Sequence, residues 1–138
     1  MKKGYSLIEL LVVISIIGIL TALALVALQG AKTSGRDARR RGDLEQIRSA
    51  LEIYKSDCQQ YPATLTFGSS LTANCPDLRT YMSTVPNDSQ TPSYTYYYNR
   101  SATTTYRLCA YLEGGAGTAC SGPVSCGAKD CNHQVIQP

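Results

Sequence analysis

Three regimes of apolar and polar positions succeed one another along the chain. From Leu10 to Leu28 the apolar run is nearly unbroken, with only Ser15, Gly18 and Thr21 interrupting it over 19 residues. As a helix, that run is about 28 Å long, close to the roughly 30 Å hydrocarbon core of a bilayer. From Gln29 to Asp57 no proline occurs, and Leu44, Ile47, Leu51 and Tyr54 follow the i, i+3, i+7, i+10 rhythm of one helical face. Together these two regimes predict one helix from about residue 6 to residue 57, roughly 75–80 Å long. Gly30, Gly35 and Gly42 weaken its middle by about 1 kcal/mol each relative to alanine, which places any bend there.

Past Asp57 the rhythm shortens. Tyr61-Pro62, Cys75-Pro76, Val85-Pro86-Asn87 and Thr91-Pro92 punctuate the chain with turns. Pro76 to Met82 reads as a short helix with proline in its first turn. Ser93 to Tyr98 is aromatic and β-branched, and Thr104 to Leu112 alternates, so two strands are expected, joined by a hairpin loop over residues 99–103. In the second strand Tyr106, Leu108, Ala110 and Leu112 share one face, and Arg107, Cys109 and Tyr111 the other. The first face is expected to pack on the helical stripe, with Tyr96 and Tyr98 joining it from the partner strand. Gln134 to Gln137 adds a candidate edge strand. The fold class is therefore α+β, a long N-terminal helix packed against a small antiparallel sheet with disulfide-rich loops.

Composition and charge sharpen this picture. The length of 138 residues accommodates one compact domain, at roughly 100–200 residues per domain. The polar part keeps tyrosine, leucine and cysteine in quantity, which excludes wholesale disorder. The net charge of +3 is local. Lys2 and Lys3 precede the apolar run, and Lys32, Arg36, Arg39, Arg40, Arg41 and Arg48 follow it; beyond Ser49 acids slightly outnumber bases. The distal part thus has no broad basic face, and no nucleic-acid partner is expected. All six cysteines, Cys58, Cys75, Cys109, Cys120, Cys126 and Cys131, lie after the apolar run. An even number on the polar side of a membrane segment favours disulfides in an oxidising compartment over zinc, since no C-x2-C pair exists and His133 is the single histidine. Fifteen pairings are possible; Cys58–Cys75 is the expected first bridge, with Cys109 joining one of Cys120, Cys126 or Cys131 and the last two pairing together.

The N-terminus carries the most specific signal. Glu9 stands at the start of the membrane run, where a carboxylate is costly, and an intramembrane ionisable group is a functional candidate by default. Met1-Lys-Lys-Gly4-Tyr5-Ser-Leu-Ile-Glu9-Leu-Leu-Val-Val-Ile-Ser-Ile-Ile-Gly18 resembles the type III signal and N-terminal helix of the type IV pilin and pseudopilin family. The likeness covers about the first 25 residues closely. It combines a short basic leader, a terminal glycine, an aromatic, a small hydroxyl residue and an acid five residues after the glycine. Tyr5 stands where phenylalanine is commoner, and Val26 where many pilins have a proline.

The resemblance implies cleavage by prepilin peptidase between Gly4 and Tyr5, methylation of the new amine, and use of Glu9 in assembly. It divides the chain into a leader (1–4), a transmembrane and assembly helix (5–30), its amphipathic continuation (31–57) and a pilin-like head (58–138). The function it implies is that of a structural subunit polymerising into a type IV pilus-like extracellular filament. Two alternatives are the major G-type pseudopilin of a type II secretion system and a membrane-anchored binding head that does not polymerise. The partners would be further copies of the chain, inner-membrane lipid, prepilin peptidase and the assembly machinery. The subunit would cross the inner membrane once with its head outside, then join a cell-surface or periplasmic filament. The arginine cluster would be a solvated face or would meet acids of neighbouring subunits or lipid headgroups. No catalytic motif is present. Asp130 and Asn132 form the sole oxygen-rich cluster, thin for a cation wanting 6–8 oxygens, so neither metal nor cofactor is expected.

Overall fold

A computed structural model describes residues 6–115, 117–135 and 137. Helix α1 runs unbroken from Leu7 to Cys58. Strands β1 (Leu71–Asn74) and β2 (Leu78–Met82) form an antiparallel pair; β3 (Tyr97–Ala102), β4 (Thr105–Ala110) and β5 (His133–Val135) form an antiparallel sheet in that order. The chain divides into two compact units, Met1–Gly35 and Arg36–Pro138. The second half of α1 therefore belongs to the same unit as the strands. In the first unit the described residues are α-helical from Leu7, through Val26 and past Gly30.

The second unit is built on β4. Leu44, Ile47, Ala50 and Leu51 of α1 share a core with Tyr96, Tyr106, Leu108, Ala110 and Val135, while Tyr54 and Tyr98 are half buried against it. This is the helical stripe meeting one face of the alternating strand, as expected. Cys109, on the opposite face of β4, packs with Cys120, Val124, Cys126 and Cys131 in a second, smaller cluster. Three disulfides, Cys58–Cys75, Cys109–Cys120 and Cys126–Cys131, tie the helix exit to β1 and the C-terminal tail to the sheet.

Three expectations are corrected. Residues 76–82 form no helix: Leu78–Met82 pairs with Leu71–Asn74, because the turn at Cys75 brings a ready partner strand alongside a segment containing Thr80 and Tyr81. The first strand of the larger sheet begins at Tyr97 rather than Ser93. Residues 94 and 95 are drawn off by the tail, Tyr94 bridging Gly127 and the Thr95 N–H donating to the Cys126 carbonyl at 3.1 Å. Gly127 permits that approach: its φ is +89°, and a Cβ there would lie 2.5 Å from the Ser93 carbonyl oxygen. Pairing then continues through the expected hairpin loop to Ala102↔Thr105, leaving a turn at Thr103 and Thr104.

The arginine cluster is divided rather than displayed. Arg40 is 1% exposed. Its guanidinium donates to Asp88 Oδ2 at 2.6 Å, Gln90 Oε1 at 2.8 Å, Glu113 Oε1 at 2.9 Å and Asp37 Oδ1 at 3.1 Å, and lies 5.1 Å from the centre of the Tyr94 ring. Asp37 in turn accepts the backbone N–H groups of Glu113 and Gly114 at 2.9 and 2.7 Å. Arg36 forks onto Glu113, with Nε 2.7 Å from Oε1. One turn of helix thus fastens two loops. The Arg36 bond, with help from Arg40 and against burial, holds the Glu113 carboxyl down at about 2. Burial opposes the charge on Arg40, but the bonds from Asp88 and Glu113 outweigh it and raise its pKa.

Removing Arg40 would leave three carboxylates around an empty site. Arg40→Ala should lower the stability of this unit by about 3–5 kcal/mol, whereas exposed Arg39→Ala should stay within about 0.5 kcal/mol, measured by denaturant unfolding. Because the folded pKa of Glu113 is depressed, its contribution is complete above pH 4.5 and is lost as pH falls toward about 2. Glu113→Gln should flatten the melting temperature over that window. A second comparison uses two core tyrosines. The Tyr96 hydroxyl donates to Asp43 at 2.7 Å, whereas the buried Tyr106 hydroxyl has no partner among the described residues. Tyr96→Phe should cost about 1.5–3 kcal/mol and Tyr106→Phe less than about 0.5 kcal/mol, by the same measurement.

Candidate assembly site

Ser6 precedes α1 as its N-cap, and the Glu9 carboxylate reaches back to accept the Ser6 N–H at 2.8 Å. This is half of a capping box, satisfying one of the donors that a helix start leaves unpaired. The Ser6-x-x-Glu9 spacing ahead of an apolar run carries that signal in the sequence, although Glu9 reads there first as a lone membrane charge. The second carboxylate oxygen has no partner among the described residues. Glu9 also lies in the first turn of α1, at the positive end of the helix dipole. Gly4 and Tyr5 fall outside the described residues.

Along the rest of the first unit the side chains point away from the chain. Every residue from Ser6 to Lys32 is exposed, with Leu7 at 80% and Val26 at 74%. This stretch is long and apolar enough to cross a membrane. Its hydroxyls turn inward: Ser15 donates to the Leu11 carbonyl and Thr21 to the Ile17 carbonyl, each at 2.8 Å. An α-helix already pairs its backbone groups, and these bonds leave the two side-chain donors paired as well. What remains is an apolar cylinder with one carboxylate near its start.

The other sequence candidates lie in the second unit. The six cysteines are all in the bridges given above. His133 pairs with Ala110 in β5, and burial, together with nearby Arg41, lowers its pKa. The Asn132 side chain is engaged by Leu112, accepting its N–H at 2.6 Å and donating to its carbonyl at 2.8 Å. Asp130 is exposed. Among the described residues no three of His, Cys, Asp and Glu are grouped to hold a metal ion. The sequence did not reveal that Asp88 and Glu113 meet Arg40, since 48 and 73 residues separate them from it and no spacing rule links them.

Residues 1–25 match the prokaryotic N-terminal methylation motif, and residues 27–121 match the family model for type II secretion system protein G. Over 63 residues the chain is 36% identical to the type II secretion system core protein G of Pectobacterium carotovorum subsp. carotovorum. It is 36% identical to that of Escherichia coli K12 and 38% identical to that of Klebsiella michiganensis. Those matches cover 46% of this chain and 40–44% of the relatives, so the chain spans less than half the length of the curated proteins it matches. No solved structure matches the chain significantly. With more than half its residues matched by one family model, an N-terminal methylation motif ahead of them and a pilin-like α+β fold, the chain belongs to the type II secretion system protein G family.

Proposed function

We propose that the chain is a structural pseudopilin subunit, anchored by α1 in the inner membrane with its second unit on the periplasmic side. It then polymerises through α1 into a short filament of a type II secretion apparatus. The observation that carries this reading is the exposed apolar helix of residues 7–28 with Glu9 as its lone charge. In water such a surface is untenable; lipid or a bundle of like helices covers it equally well. The family relationship favours this reading over the type IV pilus subunit expected first from the sequence.

Prepilin peptidase would cut after Gly4 and methylate the amine of Tyr5, which stays cationic. A subunit entering the filament would set that amine against Glu9 of a neighbour already in place, where the carboxylate oxygen not held by Ser6 is open to it. Attraction between the two charges grows as water leaves, and desolvation offsets much of it. The selectivity lies in the alternative, because a wrong register strands a buried charge at a cost of about 3–5 kcal/mol. Further copies of the chain, inner-membrane lipid, the peptidase and the secretion machinery are the partners this requires.

Mass spectrometry of the membrane-extracted protein should find N-methylated Tyr5 as the first residue. Glu9→Val should leave cleavage and membrane insertion intact while abolishing filaments and leaving exported proteins in the periplasm. Glu9→Asp should assemble partially, since the shorter acid falls short of the neighbouring amine. Cleavage after Ala24, an intact Met1, or normal filaments from Glu9→Val would overturn this reading. Surface pili that still form in a strain lacking the secretion machinery, together with unimpaired secretion in a strain lacking this chain, would return the pilus reading.

A further inference from the structure

Two positions in the second unit cost the chain stability with no return inside it. Leu78 is 79% exposed, and among the described residues of this unit Ile53 is the only other exposed large aliphatic side chain. Gly42 is the single glycine of α1 beyond Gly35. Glycine is a poor helix former, and nothing in the chain demands it here. Gly42 is helical and exposed, and a Cβ built on it would meet no atom within 4 Å.

Leu78 is firmly presented. It opens β2 just after a turn in which the Cys75 N–H donates to the Asp77 carbonyl at 3.2 Å, and Cys75 is bridged to Cys58 at the end of α1. Alternation along β2 turns Arg79 and Tyr81 toward α1, where Arg79 pairs with Asp57 at 2.8 Å and the Tyr81 ring centre lies 5.0 Å from that of Tyr54. Leu78 and Thr80 therefore face outward, beside their register partners Asn74 and Thr72, and all four are exposed. One leucine stands on an uncharged polar face.

Gly42 is the complementary feature. Ala38, Gly42, Gln46 and Ser49 succeed one another at helical spacing along α1, all exposed and none charged. Gly42 is the notch in that face. Arg39, one turn earlier, is exposed at its side, as Asp77 is beside Leu78. A knob with an acid at its edge thus matches a notch with a base at its edge. The two cannot meet within one chain, because the Cys58–Cys75 bridge holds the hairpin at the end of α1, roughly 24 Å from Gly42. They lie on different parts of one unit, so contact between copies is heterologous and repeats as an open array instead of closing a pair.

We propose that the Leu78 hairpin of one copy docks on residues 38–49 of α1 in a second copy, with Leu78 seated over Gly42 and Asp77 paired with Arg39. The inference rests on the filament proposed above, and adds a contact between second units to the one made by residues 7–28.

Full-length variants should be compared with the unaltered chain in cells that assemble filaments, counted by electron microscopy, and each should be melted in detergent. Gly42→Leu fills the notch with a better helix former, so the melting temperature should rise while filaments fall at least about tenfold. A merely structural role for Gly42 would not separate the two readouts. Leu78→Ser should melt unchanged and lose filaments likewise. Asp77→Arg should lower filament number, and adding Arg39→Asp should restore it. A short bismaleimide should join co-produced Leu78→Cys and Gly42→Cys chains to each other. Normal filaments from Gly42→Leu, no recovery in the charge-exchanged double variant, or Leu78→Cys joined to a different protein in place of a second copy would overturn the docking. The pseudopilin reading survives each of these results as long as the unaltered chain forms filaments and Glu9→Val does not.

Discussion

One helix has to satisfy two surroundings. In its first part, α1 carries apolar side chains that nothing in the described chain covers. In its second part, the same helix supplies the stripe on which the sheet is built. Leaving a large aliphatic side chain in water forfeits about 1.5–3 kcal/mol. Over residues 7–28 that reaches tens of kcal/mol, beyond the roughly 5–15 kcal/mol net stability of an ordinary domain. The chain is therefore never at equilibrium as an isolated molecule in water, and what surrounds residues 7–28 belongs to its structure as much as its own core does.

The second unit solves a different problem with little material. Its larger sheet has three short strands, so neither face can be left bare. The α1 stripe covers one face, and a disulfide-bridged tail with scarcely any regular structure covers the other. A tail of that kind cannot bury enough surface to order itself, and bridges of about 2–4 kcal/mol each make up the difference. Arg40 performs the corresponding task where the loops near Asp88 and Glu113 meet the helix. A buried guanidinium is a poor source of net stability but a demanding one in geometry. It fixes where those loops rest.

Local pattern made much of this legible. The length of α1, its Leu44/Ile47/Leu51 stripe and the inward face of β4 follow from periodicity alone, because each depends on residues three, four or two apart. The failures share a cause. Residues 78–82 became a strand, and 94–95 left one, because of partners supplied from elsewhere in the chain. The arginines looked like a surface because four lie within six positions; that two of them are drawn into ion pairs depends on acids far away in sequence. Glu9 was visible as an anomaly, but its bond to Ser6 was hidden behind its charge. Local rules found the elements, and long-range pairing decided their edges and the fate of the charges.

The inward-turned hydroxyls of Ser15 and Thr21 have a consequence for traffic between phases. Past its first turn, a helix whose backbone and hydroxyl donors are already satisfied loses no hydrogen bond on leaving lipid and gains none on meeting another helix. Hydrocarbon tails are as apolar as the side chains of a neighbouring subunit, so the hydrophobic effect does not favour one over the other. Leaving the bilayer is then close to neutral along most of residues 7–28. Close packing and the small polar end must set the direction of travel. Under the proposed assembly, a nearly level path of this kind would let subunits be withdrawn from the membrane, and returned to it, with little work per residue of helix.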